Sequence, residues 1–536
     1  AEYMGKFHFT VTMNFWILPF AAFYFLIFKR STVLVSCDFP TTLDCPFPPF
    51  TAILDNDTVL RSIIDLPETD PRLHSNAEHL HPEQISLSLS SSYDSVWISW
   101  ITGECQIGDA IAPLDPESVA SVVQYGRTGM PLDSEAIGYS VVYTDYSQNY
   151  TSGIIHHVRL TELEPGVMYE YKCGDPSISA MSQSLFFTTM PVSTPQTYPR
   201  KICLVGDLGL SYNTSTTVDH LLANHPDLLV FLGGLSYSDL YTSDGFPANN
   251  SSDLSRSFQP HWDYWGRFMQ PLIALVPTMT VAGKHEITKD GDGSTRPSVA
   301  YTSRFTVPSE ASGSLSPLFY SFNAGGVHFI VLNAYTQFDS SSEQYKWLEK
   351  DLAGVNRSET PWLAAAWYSP WYSTFTARYR EAECMRVQME ELLYTNHVDI
   401  VFNGHVHAYE RMNRVYNYTL NECGPVYITI GSGGAAEELS IGHVDDEGGC
   451  PDPAWVGDDV ITALCPVKIE YEEEAFCPDH QPDYSAYRET SFGYGTLEVK
   501  NETYALWSWN RNKDSYGISA DVVFIVREPG KCGVNG

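Results

Sequence analysis

Five short strings, each closing an apolar run, hold the side chains in this chain best suited to binding cations and moving protons. They read GDLG at 206–209, GGLSY at 233–237, GKHE at 283–286, AWYSPWYS at 366–373 and GHVH at 404–407. Asp207, Tyr237, His405 and His407 supply carboxylate, phenol and imidazole, donor types that suit iron and zinc, and His285 adds an acid or base. Carboxylates and imidazoles at neighbouring strand ends can hold two metal ions close together. Such a pair neutralises phosphoryl oxygens and keeps hydroxide available below neutral pH, so phosphate ester hydrolysis is the chemistry this set suggests. A lone GD is a weak signal and a lone GHxH a moderate one. All five strings in this order are specific.

The elements that must position these residues are legible in the hydrophobic rhythm. Apolar strands KICLVGD, LLVFLGG, TMTVAGK, HFIVLNA, WLAAAWY, DIVFNGH and VYITIGS alternate with helical stretches at 341–355 and 381–396, the pattern of a layered α/β domain over 200–536. The polar strings follow the strands, at the carboxyl ends where such folds place their sites. Over 84–190 the pattern is instead short alternating runs (ISLSLS, SVWISW, SVVQYG, HHVRLTEL, YEYKC, LFFTTM) at sandwich spacing. Leu163, Glu164, Pro165 and Gly166, followed by Tyr169 and Tyr171, resemble the turn and tyrosine corner of a fibronectin type III module. The adjacent His156 and His157 invite a metal reading, but consecutive strand residues face opposite ways, so a structural role is expected. A Pro/Thr-rich connector at 191–199 joins the modules, and 443–483 reads as an acidic surface loop.

Composition sets the outer limits. With 536 residues and 43% apolar content the chain can bury two cores. Its 31 basic and 65 acidic side chains leave a net charge of -34, which excludes nucleic acid as a partner and makes binding of any small anion depend on a local basic pocket. An apolar run at 15–28, flanked by Lys6, Lys29 and Arg30, is short of a bilayer span and reads as a signal peptide over 1–36, with an uncleaved anchor as the alternative, followed by an extension over 37–83. Export leaves no membrane attachment after cleavage and directs the chain to the exterior, cell wall or vacuole. N-x-S/T acceptors at Asn56, Asn149, Asn213, Asn249, Asn250, Asn356, Asn417 and Asn501 agree with that route. Eleven cysteines without a C-x-x-C pair argue for disulfides over zinc ribbons. Cys450, Cys465 and Cys477 lie where stapling would gain most, and Cys203, in an apolar strand, reads as a buried thiol.

From about residue 60 onward the chain resembles the large plant purple acid phosphatases. The likeness rests on GDLG, GGLSY, GKHE, PWYS and GHVHAYER, and on SSSYDSVWISWITGE, RSFQPHWDYWGRFMQPL, REAECMR and QPDYSAYRE. IDLPETDPR and AMSQSLFFTTMP are similar to the subgroup that includes plant phytases. The resemblance implies a fibronectin type III-like β-sandwich followed by a calcineurin-like metallophosphatase domain, often paired as a homodimer. It also implies a ferric ion held by Asp207, Tyr237, His407 and a bridging aspartate. A second ion (zinc, manganese or iron) would be held by the same aspartate, an asparagine, a histidine and His405. His285 falls where the family has a histidine that binds or protonates the ester.

Three of those seven ligand positions differ here: the bridge is Gly234, the amide is Lys284 and the imidazole is Tyr368. Gly234 removes the negative bridge. Lys284 places an ammonium where a lone pair is needed, a repulsion on the order of 8 kcal/mol at about 4 Å and an effective dielectric of about 20. A swing of the side chain lowers that figure, so it is an upper bound. A substrate-facing histidine position is Arg378, which still attracts an anion, and a lysine position is Glu438, which does not. The resemblance and its departures allow three readings. One is a phosphatase fold without two-metal turnover. Another is an altered enzyme with a single iron or none, using Lys284, His285 and Arg378 on a small anionic substrate. The last is a weakly active acid phosphatase.

Overall fold

Alternating apolar residues build a two-sheet sandwich at the N-terminal side. One sheet orders Glu83–Leu89, Val96–Thr102, Ile154–Leu160 and Tyr139–Val141; the other orders Ala180–Met181, Met168–Asp175, Val122–Arg127 and Ser134–Ile137, with Leu185–Thr188 paired to Met168–Asp175. Ile85, Leu87, Ile98, Trp100, Val123, Val158 and Tyr171 fill the space between them. The computed structural model describes residues 40–532 apart from 43–45, 53–63, 76–79, 91–92, 147, 193, 195–196, 199, 242–256, 290–294, 435–436, 458 and 470–475. The expected signal peptide and the acceptors Asn56, Asn249 and Asn250 lie outside the described residues. Tyr169 makes the anticipated corner: its hydroxyl accepts from the Glu164 amide at 2.9 Å.

The second module is a pair of sheets with helices outside. Strands Thr278–Thr280, Leu228–Phe231 and Arg200–Val205 run parallel and continue antiparallel through Gly493–Val499, Tyr504–Arg511 and Asp521–Val526. In the facing sheet Val327–Val331, Trp362–Trp367, Ile400–Asn403 and Val426–Ile430 are parallel neighbours. Leu204, Val230, Phe329, Ala364, Phe402, Ile428 and Trp507 interlock between the sheets. Both faces of each parallel strand are covered, which is why these segments read as unbroken apolar runs rather than alternating ones. Helices Glu343–Gly354 and Glu383–Thr395 fall within the two stretches whose periodicity marked them as helical. Among the described residues no helix is long and apolar enough to cross a membrane.

The two modules are bolted together by a buried ionic cluster. Arg304 donates to Asp263 at 2.9 Å and to Gln84 at 2.9 Å, and Tyr150 donates to the other Asp263 oxygen at 2.7 Å. Tyr171 crosses the same boundary to the Ala274 carbonyl at 2.8 Å. The segment 443–483 is tethered by two disulfides, Cys450–Cys477 within it and Cys465–Cys384 to helix Glu383–Thr395; a third joins Cys423 to Cys532. Cys203 is a buried free thiol, as its strand context indicated. Asn149, Asn356, Asn417 and Asn501 are exposed, whereas Asn213 is half-buried in the first turn of helix Tyr212–Asn224.

His156 and His157 bind no common ligand. His156 stacks on Trp100 and bonds Thr102 and Ser121 at 2.8 Å each, while His157 bonds Ser99 at 2.8 Å and the Ser303 carbonyl at 3.0 Å. Burial holds their pKa values down at about 3 and about 4. Below about pH 6.5 the unfolded chain therefore takes up protons that the native chain refuses. The stability is full above that pH and is lost as pH falls toward 4 and 3. Urea unfolding at pH 7 and pH 4.5 should show a loss of about 2 to 3 kcal/mol from each histidine, and His157→Gln should remove one such share. An unchanged pH slope in that variant would mean the native imidazole is protonated.

Candidate functional site

The five polar strings converge because each lies at the end of a parallel strand, three in one sheet and two in the facing sheet. At the centre is Asp207, fully buried directly after Arg200–Val205. Its Oδ1 accepts from the Tyr237 hydroxyl at 2.6 Å and the Tyr368 hydroxyl at 2.5 Å, and its Oδ2 accepts from the His405 amide at 2.7 Å. His407 Nε2 stands 3.6 Å from Oδ1 and 3.2 Å from the Tyr237 hydroxyl. Burial opposes ionisation of Asp207, but His407 and the two phenols outweigh it and hold its pKa below the ordinary carboxylate value. Burial and the adjacent Asp207 charge push both phenols well above theirs, so Tyr237 and Tyr368 act as donors.

Close approach of the loops requires the glycines. A Cβ on Gly233 or Gly283 would meet the Tyr368 ring at 2.5 Å or 2.7 Å. Gly234 has φ +62°, and a Cβ there would lie 2.6 Å from Asp207 Oδ1. Asp207, Tyr237, Arg378 and His405 also adopt left-handed backbone, at φ +58°, +57°, +60° and +68°. Four non-glycine residues in that region around one pocket mark a site whose backbone is over-determined by its surroundings. Glu286 is one such determinant: its carboxylate accepts from the amides of Gly234, Leu235 and Gly283 at 2.8–3.0 Å, tying two of the loops together.

Around Asp207 the imidazoles are each oriented by a carboxylate. His285 Nδ1 bonds Asp239 at 2.9 Å, leaving a buried Nε2 without a hydrogen-bond partner. Burial would lower this imidazole, but Asp239 holds it up at about 9, so it is a cation at neutral pH. His405 Nε2 bonds Glu381 at 2.9 Å, yet burial keeps its pKa below the ordinary value. Burial also opposes protonation of His407, and Asp207 overrides it to raise the pKa. Arg378 lies 3.9 Å from both Glu381 and Glu437, and Glu437 Oε2 lies 3.8 Å from His407 Nε2. Burial pushes the Glu437 carboxyl up, but His285, His407 and Arg378 together hold it below its ordinary value. Lys284 is half-buried beside His285, and Glu438 is exposed.

All the residues singled out from sequence are thus in one place, although their arrangement differs from that of a two-ion centre. Asp207, Tyr237 and His407 keep their donor atoms within 3.6 Å of one another. At the second position Gly234 offers no donor, Tyr368 is turned onto Asp207, and His405 is engaged by Glu381. Among the described residues no three His, Cys, Asp or Glu side chains are grouped to hold a metal ion. Of the seven donors that the resemblance implies for two ions, Asp207, Tyr237, His405 and His407 are present, and Gly234, Lys284 and Tyr368 stand at the other three positions. Sequence reasoning passed over Asp239, Glu286, Glu381 and Glu437. Asp239, Glu286 and Glu381 lie in or beside strings quoted above and Glu437 adjoins Glu438; of the four only Glu286 directly follows a histidine in sequence.

Comparison with known proteins follows the same outline. Residues 82–189 match the family model described as the purple acid phosphatase N-terminal domain, 200–409 the calcineurin-like phosphoesterase model, and 468–519 the iron/zinc purple acid phosphatase-like C-terminal model. Purple acid phosphatase 15 of Arabidopsis thaliana is 55% identical over 92% of this chain and 94% of its own length. Purple acid phosphatase 13 of the same plant is 55% identical over 95% and 98%. The purple acid phosphatase PPD1 of yellow lupin seeds superposes with a TM-score of 0.64 at 20% identity, covering 84% of this chain and 75% of that one, a likeness of fold.

Two substitutions test the packing around Asp207. Tyr368→Phe removes one donor from a buried carboxylate and should cost about 1.5 to 3 kcal/mol in urea unfolding at neutral pH. Gly234→Ala forces a side chain into left-handed backbone against Asp207 and should cost about 1 to 3 kcal/mol. A neutral Gly234→Ala would contradict the loop conformation described.

Proposed function

The chain belongs to the purple acid phosphatase family, and we propose that it is a member in which two-metal hydrolysis of phosphate monoesters is lost or strongly reduced while the pocket still receives a small anion. The observation that carries this reading is the 2.5 Å bond from Tyr368 to Asp207 Oδ1. A phenol stands at the second ion's imidazole position and directs its hydroxyl onto the first ion's carboxylate. Gly234 and Lys284 support the same reading, since one supplies no donor and the other supplies a cation. His405, the fourth position, is held by Glu381.

The anion pocket rests on His285, His407 and Arg378. The unpartnered, buried Nε2 of protonated His285 is a donor that lacks an acceptor. A phosphate or carboxylate would supply one, and charge-assisted bonds of this kind are among the stronger ones. Glu437 now stands 3.9 Å from Arg378 and 3.8 Å from His407 as a tethered carboxylate. An incoming anion has to displace it.

The second reading is an enzyme with one iron. Asp207 Oδ1, the Tyr237 hydroxyl and His407 Nε2 lie 2.6, 3.2 and 3.6 Å from one another, a spacing close enough for one ion to reach all three donors. A ferric ion there would act as a Lewis acid. In that reading His285, with its proton held by Asp239, faces the substrate as an acid, and Arg378 orients the anion. Three disulfides and the exposed acceptors Asn149, Asn356, Asn417 and Asn501 support passage through the secretory pathway to the cell wall or vacuole. A homodimer is the proposed assembly.

Metal analysis, the visible spectrum and p-nitrophenyl phosphate turnover together test the reading. We expect fewer than two metals per chain. The triple reversion Gly234→Asp, Lys284→Asn, Tyr368→His should raise turnover by about a hundredfold or more, the share of several kcal/mol that a restored metal supplies. Two metals per chain, a purple colour and turnover equal to the revertant would overturn the proposal; one iron with a phenolate band would select the second reading. Separately, Glu437→Gln should tighten inorganic phosphate binding by about tenfold, as removal of a competing charge at close range predicts. Unchanged affinity would mean that Glu437 does not occupy the anion's place.

A further inference from the structure

A cavity of about 460 Å³ lies at the opposite end of strand Ile400–Asn403 from His405 and His407. His397, Val398 and Asp399, which lead into that strand, line it; four residues of strand, on the order of 13 Å, separate it from the Asp207 pocket. Its volume falls within the range of small-molecule sites. Its lining carries three guanidinium groups, Arg357, Arg414 and Arg527, and Lys531, against the carboxylates of Asp399, Glu422 and Glu528. Lys531 closes the rim between Glu422 and Glu528.

Four basic against three acidic side chains leave the lining one positive charge in excess. Asp399 takes a 2.7 Å bond from Arg357, stands 3.9 Å from Arg527 and also accepts from the Leu363 amide at 2.9 Å. Arg414 donates to the carbonyls of Gly424 and Val526, at 2.9 and 2.8 Å, and among the described residues no carboxylate lies within ion-pair distance of it. Burial holds the Arg414 pKa below the ordinary arginine value, as expected of a guanidinium short of counter-charge. His397 adds a buried Nδ1 without a hydrogen-bond partner. Burying a guanidinium whose bonds go only to neutral carbonyls is costly, and in a chain of net charge -34 a lining with an excess of positive charge stands against the field of the whole molecule. An anion drawn from solution would repay that cost. The planar, forked guanidinium suits phosphate oxygens in particular, because two parallel N–H groups can meet two oxygens.

We propose that this cavity, formed by Arg357, Arg414 and Arg527 with His397, is a second anion site that takes a small phosphorylated molecule independently of the Asp207 pocket. Arg527 is the residue freest to turn toward such a ligand, since its other contact is a 3.5 Å bond to the Glu502 carbonyl.

Calorimetric titration of the full chain with inorganic phosphate and with glucose 6-phosphate, in low-salt buffer, tests this. Saturable binding should persist in Arg378→Ala, which weakens the Asp207 pocket, and in that background it should weaken roughly tenfold or more on adding Arg527→Gln while adding Arg527→Lys leaves it close to Arg378→Ala alone. Equal affinity for the two probes would assign recognition to the phosphate group alone; tighter glucose 6-phosphate would assign it to an ester that fills the cavity. As a readout that does not depend on a folded variant, either probe should protect Arg414 and Arg527 from phenylglyoxal, read by peptide mass spectrometry. Binding abolished by Arg378→Ala, binding indifferent to Arg527→Gln, or no protection of either arginine would overturn the proposal.

Discussion

The buried carboxylate of Asp207 is the constraint around which the site is arranged. An ionised group with no exposure to water has to be met by donors or by positive charge, or its pKa rises until it is neutral. Here the Tyr237 and Tyr368 hydroxyls, the His405 amide and the His407 imidazole meet it from three separate loops. Each donor arrives only if its loop closes to within a few tenths of an ångström, which is why Gly233, Gly234 and Gly283 crowd the same point. Satisfying one oxygen pair therefore fixes the relative positions of strands from both sheets.

Seen from Asp207, the substitutions at Gly234 and Tyr368 form one set. A second aspartate at 234 would place another carboxylate against Asp207, tolerable beside two cations and unfavourable without them. Glycine removes that repulsion. A tyrosine at 368 then supplies a hydroxyl to the oxygen that would otherwise face a metal, and its ring fills the volume between Gly233, Gly283 and Gly404.

The fold was legible because it is written in periodicity. Alternation at 84–190 and continuous apolar runs after residue 200 separate a half-exposed sandwich from strands buried on both faces, and the polar strings mark the strand ends. The members of the site were legible for the same reason. Their partners were not, because Asp239, Glu286, Glu381 and Glu437 acquire meaning only when loops distant in sequence meet. Glu286 shows the difficulty: nothing in GKHE says that its carboxylate will cap amides some fifty residues earlier. Disulfide pairing is hidden likewise. Cys465 looked like a staple within the acidic segment, yet its partner Cys384 lies on a helix 81 residues away. The second cavity escaped notice since its arginines are scattered over 357–527 without a shared motif.

The charges at the mouth of the Asp207 pocket bear on what such a site can select. His285, His407 and Arg378 draw an anion inward, while Glu381 and Asp239 are already committed to orienting imidazoles. Glu437 is the one carboxylate there that binds by charge alone, at 3.8 and 3.9 Å from its cations and without a short hydrogen bond to them. Exchanging it for a free anion replaces one negative charge with another, so the Coulomb term nearly cancels. Selectivity then rests on hydrogen-bond geometry: a ligand that presents an oxygen to the unpartnered Nε2 of His285 gains a bond that Glu437 does not make. A tetrahedral oxyanion, with oxygens directed several ways at once, can reach His285 and Arg378 together more readily than a planar carboxylate. In the proposed anion-binding role, the shape of the donors rather than the net charge would favour phosphate-like ligands.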